Sequence, residues 1–470
     1  MKILLIYPNS EGYGRIPLGL SILSSCLKDK GHEVELFDLT FLVSSNKDNE
    51  MREKIGIAKK IDTSVHWGSI GNIDVKKLLI EKVEAFKPGL IGISVIQNNY
   101  WNSIDLLKEI RQNFDIPIVA GGTFATIYPQ SLFLTGLVDV IVRGEGEGAI
   151  VELADAFESG NEIKGIDNCV FFEEGNVRAN PVRAYADLNT IPFQDISIFD
   201  QRHLMKPFDG KMVRAGYFEL SRGCPFSCTY CANFYLNEVL YASEKCHIRF
   251  KNAARCVNEI EALNKEYQYN FIFFADENML SLNLKELKKL ARLWKDKVKL
   301  PFYITTRVEM SSEDKIEVLK DMGCATIAFG IESGNEKFRK KVLKRANTND
   351  QIIRAFKLCK KYGIRTTANN IFGFPYETES DIFDTIKLNM ESAPDSFSNS
   401  IFAPYIGTEL YDVCLREGYV NPGIPSRISM IDDSILTMPQ ISRERILELY
   451  MNFIKYLSGE LSIPVKMRNQ

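Results

Sequence analysis

The chain has 470 residues, 45% of them hydrophobic and 25% charged, a length that suits about three domains. That composition excludes disorder or low complexity as its main character. Lys and Arg number 58 against 61 Asp and Glu, a net charge of −3, so no basic excess points to nucleic acid and no charge run to a membrane surface.

The start, MKILLIYPNSEGYG, holds an apolar run too short for a signal peptide, and it reads as a buried strand over 2–8. No run approaches the ~20 residues that span a bilayer, so no integral membrane segment is expected and the cytoplasm is the expected location. A loop from 9 to 16 leads to Pro17, which suits a first helical turn, and PLGLSILSSCLKDKG keeps helical spacing to Gly31. Strand patterns follow at 32–39, 90–96, 116–122 and 138–144. SIDLLKEIRQNF and EGEGAIVELADAFESG supply helical patterns among them. This α/β alternation predicts a doubly wound, flavodoxin-like parallel sheet over 1–155, with its ligand beyond the carboxyl ends of the strands.

Residues 156–210 break the pattern and read as an interdomain linker. Within them CVFFEEGNVRANPV resembles a hairpin with a Glu-Gly-Asn turn, and LNTIPFQD is a connector. Six further strand patterns, at 216–221, 271–276, 302–307, 326–333, 365–373 and 397–404, alternate with helical ones. They predict a partial (β/α)6 barrel over 211–410, active at the carboxyl ends of its strands. Residues 411–470 read as a helical tail, in which ILELYMNFIKYL is expected to cap the barrel or pack on the linker.

Of ten cysteines, Cys224, Cys228 and Cys231 are packed into SRGCPFSCTYCANF, directly after the strand pattern GYFEL. In a reducing compartment such clustering suggests a metal site more than a disulfide framework. Thiolates are the usual ligands of iron–sulfur clusters, and three local ligands leave one iron of a cubane open. An open metal position marks catalysis, a closed one structure. The residues alone also fit zinc completed by Cys246 or His247, or three inert thiols.

C-x3-C-x2-C, with the aromatic Tyr230 before its last cysteine, resembles the signature of the radical SAM superfamily. The resemblance implies a [4Fe–4S] cluster on Cys224, Cys228 and Cys231 whose open iron binds S-adenosylmethionine by its amino and carboxylate groups. It implies reductive cleavage to a 5′-deoxyadenosyl radical, with electrons from a donor such as flavodoxin or ferredoxin. It places Tyr230, Asp276, Arg307, Glu332 with Ser333, and Asn370 with Gly373 around the cofactors, all but Tyr230 at the ends of proposed strands. Gly330–Ser333 resembles the family's fourth-strand GxES motif, which implies contact with the ribose or amino acid portion of the ligand. The fifth-strand segment departs from G-x-I-x-G-x-x-E: Asn369 replaces the first glycine and the acid is displaced to Glu377. Read without the resemblance, Asp276 and Glu332 also suit caps or ion pairs, and Arg307 a salt bridge.

Pro17, Leu18 and Gly19, Ser94, Gly121, Gly122 and Thr123, and Gly144 with Glu145 all fall near the carboxyl edge of the first predicted sheet. Small residues there let a bulky ligand approach the backbone closely. The set resembles the cobalamin-binding domain found ahead of many radical SAM domains, and it implies cobalamin; the combined resemblance covers roughly 1–410. The D-x-H-x-x-G motif is absent: His32 precedes a strand and His66 lies outside the expected loop, so cobalt would lack a protein histidine. PNSEGYGRIPLG is also not the tight G-x-G-x-x-G of a nucleotide site. Residues 97 to 101 are expected on the cofactor's lower side, although Tyr100 and Trp101 read equally well as core.

The combination implies a cobalamin-dependent C-methyltransferase acting on an unactivated carbon of a small-molecule or lipid-like metabolite. The same scaffold also suits oxidative cyclisation, rearrangement or hydroxylation. The barrel-end carboxylates and Arg307 argue against a purely binding protein. A tRNA methylthiotransferase would need a second cysteine set in the first domain and a basic patch, and the sequence has neither.

Overall fold

The structure is a computed structural model that describes residues 1–10, 15–43, 47–67, 73–424 and 430–464; part of the loop expected from 9 to 16 lies outside them. The chain divides into two compact units. The first comprises Met1–Asn46, Asp62–Lys206 and Tyr235–Glu244, the second Lys47–Ile61, Pro207–Phe234 and Lys245–Gln470.

The first unit is built on strands β1 (Lys2–Tyr7), β2 (Glu33–Asp38), β3 (Leu90–Ser94), β4 (Ile118–Gly121), β5 (Val140–Val142), β6 (Cys169–Glu173) and β7 (Asn176–Ala179). The first five are parallel in the order β2-β1-β3-β4-β5, the flavodoxin-like winding. Their continuous apolar runs are buried on both faces: Ile3, Leu4, Leu5 and Ile6 have essentially no exposure. The helix Leu18–Asp29 starts at the Pro17 cap, and Gly31 beyond it takes a positive φ.

The hairpin β6–β7 turns at Glu174 and Gly175, both with positive φ. It does more than connect: Cys169 and Val170, both fully buried, pair antiparallel with Val142 and Ile141 and extend the first sheet. Periodicity marks the hairpin but not its partner. The chain after it also packs on this unit, with Leu188 and Ile191 against Ile22, and with Asp195 accepting from Ser24 and paired to Lys28.

The second unit holds a sheet of β8 (Met205–Phe208), β9 (Lys211–Phe218), β10 (Phe271–Phe274), β11 (Phe302–Thr306), β12 (Cys324–Glu332), β13 (Arg365–Phe372) and β14 (Ser396–Ile401). The strands from β9 to β14 are parallel and adjacent in sequence order, with β8 beyond β9 and β14 at the other edge, which makes an open, partial barrel. Amphipathic helices Ala253–Tyr267, Leu284–Lys297 and Asn349–Lys361 start at side-chain caps from Asn252, Asn283 and Thr348. Phe274 packs with Trp294 and Phe302, and Phe329 with Phe356. The alternate residues of the sheet differ from bottom to top. Phe208, Phe273, Tyr217 and Tyr303 form an aromatic floor, while Thr305, Asn369, Ser398 and Ser400 nearer the carboxyl ends are partly exposed.

The tail carries helices Glu409–Arg416, Arg443–Met451 and Phe453–Leu457; residues 417–424 and 430–442 between them are not helical. Ile446, Leu449, Tyr450 and Phe453 join Phe372 and Phe374 in one core, so the ILELYMNFIKYL segment packs on the barrel. Among the described residues no helix is long and apolar enough to cross a membrane.

Candidate active site

The cysteine segment leaves the carboxyl end of β9, and Asp276, just past β10, holds its first residues. The Leu220 amide donates to Asp276 Oδ2 at 3.0 Å and the Ser221 amide to Oδ1 at 2.6 Å, with the Ser221 hydroxyl as a third donor. Burial pushes the Asp276 carboxyl up to about 7 against the pull of these bonds. Gly223 takes φ +83, and a Cβ there would lie 1.9 Å from the His247 carbonyl, so only glycine lets the two chains cross. The Cys231 amide donates to the Cys228 carbonyl at 3.1 Å. None of the three thiols is in a disulfide, and Cys228 is buried while the others are half-buried. Burial pushes Cys224 up to about 11 and Cys231 up to about 12, so metal binding must release protons. Cys246 is exposed and donates to the Ile248 carbonyl.

Around Cys228 the strand ends supply charge. Arg307, following β11, brings Nη1 to 3.5 Å from Cys228 Sγ, lies 3.8 Å over the Phe226 ring and pairs with Glu309. Glu332, at the end of β12, has φ +67 beside a register shift between Gly330 and Glu332, a strained conformation for a residue with a side chain. Its carboxylate lies 3.6 Å from Arg345, which the sequence analysis did not single out. Arg345 is buried; it donates to the Gly330 carbonyl at 2.6 Å, to Tyr230 Oη at 3.2 Å and to Cys228 Sγ at 3.8 Å. A Cβ on Gly330 would sit 2.3 Å from Glu332 Oε1 and 3.2 Å from Arg345 Nη2, so glycine leaves the space these two charges fill. Burial raises the pKa of both Tyr230 and Glu332.

The remaining barrel positions serve the frame. Ser333, fully buried, gives its carbonyl to Arg339 at 2.6 Å; that arginine also binds Asn347 and Asn349 and so ties the loop preceding the next helix. The Asn370 amide is engaged with Asn399 and Asn389 inside the sheet. Glu377 accepts from the Gly373 amide at 2.6 Å and the Phe374 amide at 3.2 Å, so the displaced acid of the fifth-strand segment caps its own turn. The structure therefore gathers Cys228, Tyr230, Arg307 and Glu332, and adds Arg345. Asp276 and Asn370 direct their polar atoms at backbone amides, the Ser221 hydroxyl and side-chain amides, and Glu377 turns one carboxylate oxygen to backbone amides.

At the carboxyl edge of the first sheet, Ser94 and Gly121 are paired neighbours. Gly122 takes φ +97, and a Cβ there would lie 2.6 Å from the Val95 carbonyl. Thr123, exposed, opens the helix Thr123–Ile127, and Pro17, Leu18 and Gly19 open the first helix with Gly19 exposed. Gly144 has φ +70, donates to Thr126 Oγ1 at 3.0 Å, and passes so close to the Tyr241 hydroxyl that a Cβ would lie 2.2 Å from it. Glu145 braces this loop, its carboxylate accepting from the Ala186 amide and its carbonyl from Asn168. Ile96 and Trp101, after β3, are 44% and 45% exposed, while Tyr100 is buried against Phe124.

Of the histidines read in the sequence, His32 precedes β2, away from its carboxyl end, and bonds Asp155 and the Met1 amine. His66 lies in the short helix Ser64–Trp67. His203, not singled out in the sequence, places Nε2 2.5 Å from Asp38 and packs its ring against Phe41 and Phe199.

Three undisulfided thiols with cationic donors beside the buried one fit a thiolate-held cluster, and the glycine edge with its apolar shelf fits a large flat ligand. Residues 218–388 match the family model of the radical SAM superfamily, and residues 10–154 match that of the B12 binding domain. The chain thus carries a radical SAM domain preceded by a B12 binding domain. This radical SAM enzyme is 28% identical over 426 residues to an uncharacterized methyltransferase of Pyrococcus horikoshii, spanning 88% of this chain and 83% of that protein. It is 27% identical to the anaerobic magnesium-protoporphyrin IX monomethyl ester cyclase of Rubrivivax gelatinosus, over 70% of this chain and 59% of that protein. Its fold resembles that of the radical S-adenosylmethionine methyltransferase TsrM of Kitasatospora setae, solved with cobalamin and a [4Fe–4S] cluster bound. The TM-score is 0.66 and the identity 21%, with 90% of this chain and 76% of that one covered.

Proposed function

We propose that this radical SAM enzyme transfers a methyl group from S-adenosylmethionine to an unactivated carbon of a small-molecule or lipid-like substrate. In this reading a [4Fe–4S] cluster sits on Cys224, Cys228 and Cys231, and cobalamin sits at the glycine edge of the first sheet. The observation that carries it is that one chain builds both a charged cysteine site and a glycine-lined apolar edge, each at the carboxyl ends of its own parallel sheet. When bound, the cluster supplies one-electron reduction of S-adenosylmethionine, and the corrinoid supplies a methyl carrier.

The chain's own residues do the rest. Asp276 fixes the start of the cysteine loop through the Leu220 and Ser221 amides. Glu332 and Tyr230 present polar atoms beside Cys228 and orient the amino acid end of S-adenosylmethionine. Gly19 and Gly121 would let the corrin approach the backbone, Gly122 and Gly144 let the loops beside them pack on Val95 and Tyr241, and Ile96 and Trp101 would supply apolar contact. A small electron carrier such as flavodoxin or ferredoxin would supply the electron.

The test is incubation of anaerobically reconstituted protein with methyl-labelled S-adenosylmethionine and candidate substrates. A product heavier by one CH2 and carrying label is expected; label recovered in methionine alone overturns the assignment. The similarity to an anaerobic cyclase favours a second reading, cyclisation without methyl transfer, which product mass separates from the first.

A further inference from the structure

We propose that Arg345 is a positioning residue that sets the reduction potential of the cluster through the sulfur of Cys228; this rests on the cluster reading above. Among the three cysteines Cys228 alone is buried, and two guanidinium groups approach it, Arg307 at 3.5 Å and Arg345 at 3.8 Å. Arg307 lies over the Phe226 ring and is paired with Glu309 beside it. Arg345 is held differently. Its Nη2 is fixed on the Gly330 carbonyl, and its Nη1 is shared between Tyr230 and Cys228, so the charge cannot swing away from the sulfur.

The fold is shaped to permit this. The backbone at Glu332 is strained and β12 shifts register there, which brings the carboxylate to 3.6 Å from Arg345, and Gly330 leaves the room both groups need. A cationic donor on a cluster thiolate withdraws electron density and stabilises the form with the extra electron. A nearby carboxylate does the opposite, and burial magnifies both effects. Arg345 therefore raises the potential and Glu332 trims it, so the two substitutions must act with opposite sign. An arginine that only supported packing would not give opposite shifts.

The experiment uses the reconstituted full chain without S-adenosylmethionine or substrate. Iron and sulfide are assayed, and the potential is read by redox titration followed by electron paramagnetic resonance. Arg345→Gln is expected to keep its iron and shift the potential to more negative values, Arg345→Lys to shift it less, and Glu332→Gln to shift it to more positive values. An unchanged potential in iron-loaded Arg345→Gln overturns the inference. Should that variant fail to load, Arg345→Lys and Glu332→Gln decide: opposite shifts support the inference, and same-sign shifts or none overturn it. A wild-type protein that takes up no cluster overturns the cluster reading instead.

Discussion

The two parallel sheets end in opposite chemistry. The carboxyl edge of the first is mostly backbone and apolar surface: Ser94, Gly121, Gly122 and Gly144, with Ile96 and Trp101 half-exposed and its carboxylates engaged within the fold, Glu145 with the Ala186 amide and Asp38 with His203. The carboxyl edge of the second is crowded with buried ionisable groups: Asp276, Arg307, Glu332, Arg345 and Glu377. A ligand held by area and close approach needs space and no fixed charges. A ligand that exchanges electrons needs fixed charges arranged before it arrives, because reorganising them during electron transfer costs energy. The same architecture therefore serves two kinds of cofactor by changing only what stands at the strand ends.

The largest expected effect breaks one edge and spares the other. Cys228→Ser should lose most of its iron and all cleavage of S-adenosylmethionine while retaining added corrinoid, measured by metal analysis and the corrinoid absorption band. Full iron loading in that variant would remove Cys228 from the cluster. Gly122→Ala does the reverse. The left-handed backbone and the Val95 carbonyl 2.6 Å away cost about 1–3 kcal/mol of strain, so corrinoid retention should fall with iron unchanged. Normal corrinoid binding by this variant would place the cofactor elsewhere.

A third test sharpens the role of buried charge. Burial pushes the Glu377 carboxyl up to about 8 from its ordinary 4.5, so the folded protein holds a proton there that the unfolded chain has lost. This contribution to stability is present below about 4.5 and is lost as pH rises through about 8. Glu377→Gln, which keeps an acceptor for the Gly373 amide, carries no such loss. Its melting temperature relative to wild type should climb between pH 5 and 9, and a flat difference would mean that the carboxyl is ionised throughout. The smallest effect is at the apolar shelf. Trp101→Ala should weaken corrinoid binding about tenfold by spectral titration and leave thermal stability within about 1 kcal/mol, since the side chain is half-exposed.

The sequence by itself determined what is written within a dozen residues. Apolar runs of strand length marked both parallel sheets, C-x3-C-x2-C marked the proposed cluster site, and the small residues at the ends of β3 and β4 and after β5 marked the other edge. Only the tertiary structure decided where each polar group is directed. Asp276 meets amides 55 and 56 residues away, and Arg345 meets Cys228 across 117, so one reads in sequence as a ligand candidate and nothing local marks the other. Tyr100 and Trp101 are adjacent and chemically alike, yet helix geometry turns one into the core and leaves the other open. The hairpin β6–β7 was legible as a hairpin, but not as the extension of the first sheet, for the same reason: periodicity records which face is apolar, and only packing says what that face meets.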